Sequence, residues 1–239
     1  MLNSQPATAN NIIQTGLSHR FYQSDSQYKT KKIVFVLVHG RAGNEQVMWV
    51  FSKAFAEFKP LTVSPQAPFV DHDKGGFSWW DVHKKIADQD KAGKKAVLMP
   101  AVIAIEKFID SLSDAYNQEI EEIYAIGFSQ GAGLLSTHSL IKPNLFSGVA
   151  LLSGFIPRVI EEQAAEICQE DKVFRPDYFI FHGSKDEVLP IEGAYSAKHT
   201  LESLGANVTF AEDEVGHKVS SSGIKALQEW CHAMLNNHA

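Results

Sequence analysis

The sequence predicts a doubly wound α/β fold, a mostly parallel sheet with helices on both faces and no large lid domain. Three observations carry that expectation. Apolar runs of strand length alternate with helical patterns along the chain, which favours parallel pairing through right-handed crossovers. One such run, Glu122-Ile123-Tyr124-Ala125-Ile126, opens directly into Gly127-Phe128-Ser129-Gln130-Gly131 and then a helix pattern. Asp and His residues also follow later strand-like runs, in the loops where chemistry collects in open α/β sheets.

The elements follow in order. Residues 1–14 are polar and expected to be loosely ordered, and an edge strand is expected within 15–22. The apolar stretch 33–38 reads as a strand, 45–58 as a helix and 61–64 as a short strand. Residues 71–95 read as irregular and polar, with a glycine pair and Trp79-Trp80. A helix is expected over 100–117, where Ala101, Ile105, Phe108, Ile109 and Leu112 recur at helical spacing. The strand at 122–128 and a helix that Pro143 stops come next. A strand at 148–153 leads into a long connection whose middle, residues 159–168, is helix-like and acidic. Strands are expected at 177–182 and 206–211. No internal repeat or low-complexity tract interrupts the pattern.

The chain has 239 residues, a length that suits a single domain over 1–239 with a substantial core. Apolar residues make up 44% and charged residues 21%, ordinary for a globular protein. The net charge of −6, without a basic cluster beyond short Lys pairs, argues against nucleic-acid binding. Cys168 and Cys231 lie in no Cys-x-x-Cys or Cys/His ligand pattern, so neither a metal nor another cofactor is expected. Cys231 reads as a packed thiol on the final helix. Residues 1–11 lack the apolar core of a signal peptide, and no run is long enough to span a membrane. The expectation is a cytoplasmic protein acting on a small molecule, without stable membrane insertion. A homodimer is an open possibility for its assembly.

The Gly-x-Ser-x-Gly turn has the form of a nucleophile elbow. A side chain at Gly127 or Gly131 would collide where strand and helix backbones approach, so Ser129 would stand in a strained turn with its hydroxyl exposed. A serine nucleophile needs a base, and the base an orienting carboxylate. Asp186, in the turn after strand 177–182, and His217, after strand 206–211, appear in the required order. Asp213 and Glu214 lie close to His217 in sequence and are weaker orienters; Glu187 is a rival to Asp186 whose side chain should point away. His182 and His39, at strand ends, read as packing residues or partners for backbone groups. Oxyanion donors are expected from the backbone N–H of Gln130, at a helix start, and of Arg41, after the strand ending Val38-His39-Gly40. The Arg41 side chain would either meet an anionic substrate group or pair with a surface carboxylate.

Val38-His39-Gly40-Arg41-Ala42-Gly43, Ser64-Pro65-Gln66-Ala67-Pro68, the elbow, the run from His182 to Pro190, and Gly216-His217 together resemble the carboxylesterase/phospholipase family of α/β-hydrolases. That family includes acyl-protein thioesterase-like and dienelactone-hydrolase-like enzymes. The resemblance extends from about residue 32 to the C-terminus. It implies a metal-independent esterase with Ser129, Asp186 and His217 as its triad and Arg41 and Gln130 as oxyanion donors. Two features depart from the pattern: many members have a small or aliphatic residue at Arg41, and the loop before Asp81 ends in two tryptophans rather than one aromatic. Dienelactone hydrolases proper use cysteine where this chain has serine.

The absence of a large lid points to a shallow site. Trp79 and Trp80 are expected at the pocket mouth, at least one of them doubling as core, and Phe155 and Ile156 beside the acyl group. The expected function is hydrolysis of small or short-to-medium-chain carboxylic esters, or thioesters, through an acyl-enzyme. The alternatives are a lysophospholipase or acyl-protein thioesterase acting on long acyl chains, and a non-catalytic ligand-binding α/β-hydrolase.

Overall fold

The computed structural model describes residues 1–24, 32–81, 91–167 and 176–236. An eight-stranded sheet runs through it in the order β1-β2-β4-β3-β7-β8-β9-β10, and a separate antiparallel pair is formed by β5 (Phe69–Val70) and β6 (Phe77–Ser78). Its centre is β3 (Ile33–Val38), flanked by β4 (Leu61–Pro65) and β7 (Glu122–Phe128). Beyond β7 lie β8 (Gly148–Leu152), β9 (Asp177–Gly183) and β10 (Val208–Asp213). These six strands are mutually parallel. At the other end β2 (His19–Tyr22) runs antiparallel to β4, and the two-residue β1 (Gln5–Pro6) forms the edge beside it. The expected edge strand is therefore next to the edge.

The N-terminal segment is more ordered than its polarity suggests. Besides β1 it carries α1 (Ala9–Thr15), capped by Thr8 through a reciprocal capping box with Asn11 and closed by Gly16 in the left-handed conformation. The Asn11 side chain also donates to the Ala115 carbonyl, tying this helix to the body.

β3 explains the two-sided architecture. All six residues are buried, and they alternate between faces. Val34, Val36 and Val38 join one core with Ile105, Phe108, Leu134, Leu135 and Leu201. Ile33, Phe35 and Leu37 join the other with Phe51, Phe55, Leu227 and Trp230. The Phe35 ring stacks on Phe55 with centroids 3.7 Å apart. Fully burying a side chain of this size contributes about 1.5–3 kcal/mol. Helices α2 (Lys91–Asp110), α3 (Leu112–Tyr116), α4 (Gln130–Ile141) and α7 (Glu192–Ser203) serve the first core, and α8 (Ser221–Asn236) the second.

Two helical expectations differ from the structure. The α2 helix begins upstream of Pro100 and carries that proline in its interior. Val97 and Leu98 continue the buried stripe of Ala101, Val102 and Ile105, so one packed face outweighs the backbone bond that proline removes. Residues 91–95 are accordingly helical rather than irregular; residues 82–90 of the same expectation lie outside the described residues. The helix expected over 45–58 is two 3₁₀ segments, Val47–Ala54 and Ala56–Phe58, broken at Phe55. The long connection after β8 holds α5 (Arg158–Glu161) and α6 (Ala164–Ile167), and Cys168 lies outside the described residues. Among the described residues no helix is long and apolar enough to cross a membrane.

Candidate active site

Ser129 stands between β7 and α4 with φ 52° and ψ −114°, a left-handed backbone that a serine adopts only under constraint. The constraint is visible. The Ser129 N–H donates to the Leu152 carbonyl, 2.9 Å away. A Cβ on Gly131 would lie 2.3 Å from the Val38 oxygen, and one on Gly127 2.7 Å from the Ala132 nitrogen. Strand and helix meet so closely that glycine alone fits at both positions. The elbow therefore projects the hydroxyl beyond the C-terminal end of the sheet.

His217 comes to that hydroxyl from the loop after β10. Its Nε2 lies 2.9 Å from Ser129 Oγ, and its Nδ1 lies 2.7 Å from Asp186 Oδ2. With the carboxylate ionised, Nδ1–H donates to Asp186 and Nε2 is left to accept the serine proton. Asp186, in the turn after β9, is buried. Its other oxygen accepts the N–H groups of Val188 and Leu189, each at 2.9 Å. Burial opposes the charge, but the Leu189 N–H, the His217 ring and the Val188 N–H outweigh it and hold the carboxyl below its usual range. The Lys185 N–H donates to the Val215 carbonyl, joining the two loops that carry the acid and the histidine.

The rival residues are occupied elsewhere. Glu214 pairs with Lys185, and Asp213 accepts from Ser222 and the Glu214 N–H. Glu187 is exposed. His182 is buried beneath the acid: its Nε2–H donates to the Leu189 carbonyl at 2.7 Å and lies 3.3 Å from Asp186 Oδ2. His39 Nε2 accepts the Ala67 N–H, so Nδ1–H donates to the Gly40 carbonyl. Burial lowers the His39 pKa, keeping the ring neutral for these bonds.

Arg41 and Gln130 line the same cavity as Ser129 and His217. Gln130 opens α4, where a backbone N–H has no partner one turn back. Trp79 links the turn after β3 to the start of α4. Its indole N–H donates to the His39 carbonyl at 2.8 Å, and its backbone N–H donates to Gln130 Oε1 at 2.9 Å. Trp79 is fully buried and Trp80 nearly so; neither lines the cavity beside Ser129, which corrects the expectation for both. Trp79 is instead a cross-brace between the turn after β3 and the start of α4. In Trp79→Phe the His39 carbonyl loses its buried donor, at about 1–3 kcal/mol. Steady-state kinetics on 4-nitrophenyl butyrate should then show kcat reduced about 10- to 100-fold with KM little changed.

The Arg41 guanidinium takes the second of its two expected roles, with a buried rather than a surface carboxylate. It donates through Nε and Nη2 to Asp71, and Asp73 lies 3.6 Å from it. Asp71 also accepts the N–H groups of Asp73 and Lys74 and the Ser78 hydroxyl. Arg41 above all, with the Lys74 N–H and Ser78 hydroxyl, outweighs burial and holds this carboxyl far below its ordinary 3.8. A depressed folded-state pKa means stability that is complete above the ordinary value and lost as pH falls through the folded one. Asp71→Asn should therefore lower the urea midpoint at neutral pH, with the difference from wild type narrowing as pH drops below about 4.

The cavity measures about 600 Å³. One wall comes from the 3₁₀ segment, through Val47, Met48, Val50 and Phe51; Phe128, Phe155, Leu189 and Val219 supply others. Phe155 lines the cavity with Ser129. Ile156 is turned into the core with Val159 and Ile160 and does not line the cavity. Sequence reasoning missed the 3₁₀ wall, because its apolar residues look like the core of an ordinary helix.

A nucleophile elbow on a parallel sheet of this order, with an acid after β9 and a histidine after β10, defines the α/β-hydrolase class. Residues 20–235 match the phospholipase/carboxylesterase family model, and the chain belongs to that family. It is a hydrolase of carboxylic esters. A probable carboxylesterase SOBER1-like of Arabidopsis thaliana is 27% identical over 194 residues, covering 78% of this chain and 71% of its own. Acyl-protein thioesterase 1 of Kluyveromyces lactis is 28% identical over 187 residues, covering 74% and 79%. Among solved structures, esterase PE8 superposes with a TM-score of 0.77 at 21% identity over 91% of this chain and 99% of that one. The Bacillus cereus carboxylesterase gives 0.75 at 20% identity over 95% and 100%. At these identities the structural likeness concerns the fold.

Proposed function

We propose that the chain is a serine carboxylesterase that hydrolyses small or short-to-medium-chain carboxylic esters through an acyl-enzyme. The observation that carries this reading is His217, bridging Ser129 Oγ and Asp186 within 2.9 Å on each side at the floor of an apolar cavity. Ser129 Oγ attacks the carbonyl carbon while His217 Nε2 takes its proton, and Asp186 stabilises the resulting imidazolium. The N–H groups of Arg41 and Gln130 meet the oxyanion. His217 returns the proton to the leaving oxygen, and water repeats the sequence to release the acid.

The acyl-length reading is supported by the openness of the cavity, whose lining residues Val47 and Val188 are 52% and 64% exposed. Hydrolysis of 4-nitrophenyl esters from acetate to palmitate tests it, with fluorophosphonate labelling of Ser129 as a check on the nucleophile. The expected optimum lies at butyrate to octanoate. An optimum at palmitate would favour the long-chain thioesterase or lysophospholipase reading instead, and absence of both labelling and turnover would favour a ligand-binding role.

A further inference from the structure

We propose that the cavity beside Ser129 selects esters bearing a carboxylate, which Lys74 and Lys218 recognise. The inference rests on the esterase reading and extends it to the substrate class. The chain as a whole is acidic, with 28 Asp and Glu against 22 Lys and Arg. The cavity opposes that balance: Arg41, Lys74 and Lys218 line it, and among the described residues no Asp or Glu does. Arg41 is already matched by Asp71 and Asp73. Lys74 and Lys218 are exposed, and among the described residues neither ammonium has a carboxylate within ion-pair distance. The buried Asp186 carboxylate lies behind His217 and is engaged by its ring.

Two unmatched ammonium groups at the edge of a low-dielectric cleft focus a positive potential into it and concentrate anions there. The rest of the wall is largely apolar. A substrate with an aliphatic or aromatic body and a terminal carboxylate satisfies both surfaces at once: the body covers Met48, Phe51 and Phe155, and the carboxylate meets the lysines. A neutral ester of the same size satisfies the apolar wall alone.

Either half of an ester can carry the charge, so the test has two arms. In the acyl arm, 4-nitrophenyl hydrogen adipate is compared with 4-nitrophenyl hexanoate. In the alcohol arm, 4-butyryloxybenzoate is compared with phenyl butyrate. The wild type should favour the carboxylate member of at least one pair about tenfold in kcat/KM, mainly through KM, and the preference should shrink with added salt. The responding arm identifies which half is charged. In Lys74→Ala/Lys218→Ala the ratio should fall to about one, and in Lys74→Glu/Lys218→Glu it should fall below one. A wild-type ratio of one or less in both arms, with turnover that Ser129→Ala abolishes, would overturn the proposal and leave the esterase reading standing. A ratio indifferent to salt, or retained in both double variants, would overturn it too. Turnover of every ester that survives Ser129→Ala would overturn the esterase reading and this proposal together.

Discussion

Ser129→Ala should lower kcat on any accepted ester by about 10⁶-fold while leaving the fold intact. The size follows from the sharing of roles: without the hydroxyl, His217 has no nucleophile to deprotonate, and Asp186 orients a ring with nothing to do. What remains is the rate that binding and the oxyanion donors give to attack by water. The structural cost is small, because alanine keeps the Cβ and loses a single hydrogen bond to a partly exposed ring. The φ of 52° at this position is no worse for alanine than for serine. Stopped-assay kinetics at high enzyme concentration, with an unfolding free energy from urea titration within about 1 kcal/mol of wild type, would bear this out. A loss below a hundredfold would remove Ser129 from the role of nucleophile.

Asp186→Asn should cost about 10⁴-fold in kcat. One carboxylate oxygen is held by two backbone N–H groups, so an asparagine keeps its carbonyl oxygen there. Its amide then faces His217 Nδ1 as a donor. The ring must turn to the other tautomer, with the proton on Nε2, and can no longer accept from Ser129 Oγ. The variant isolates tautomer and charge from shape, since asparagine is nearly isosteric. NMR of the His217 ring nitrogens in wild type and variant would show the exchange of protonated positions; an unchanged tautomer with unchanged kcat would contradict the assignment.

Ser129, Asp186 and His217, which hydrogen bonds join in one row, were legible because each sits in a short local pattern. The turn around Ser129 needs glycine at fixed offsets, and Asp186 and His217 follow strands whose apolar runs are unmistakable. The cavity wall was not, for a different reason in each place. Phe155 and Ile156 are neighbours of similar hydrophobicity, and packing alone sends one to the cavity and the other to the core. Trp79 and Trp80 announce importance by their size, yet hydrogen bonds to His39 and Gln130 place the first behind the site. Pro100 reads as a helix start by its residue type, whereas the buried stripe of Val97 and Leu98 carries the helix upstream of it.

The wall formed by Val47, Met48, Val50 and Phe51 belongs to a 3₁₀ segment, whereas Ser129, Asp186 and His217 follow the ends of parallel strands. Selection can therefore act on the two independently. Val47 and Val188 are largely solvent-exposed, so exchanging them for larger or smaller side chains strains little of the scaffold. A lineage, or a laboratory library confined to those positions, can drift from one acyl preference to another while the elbow and its partners stay as they are.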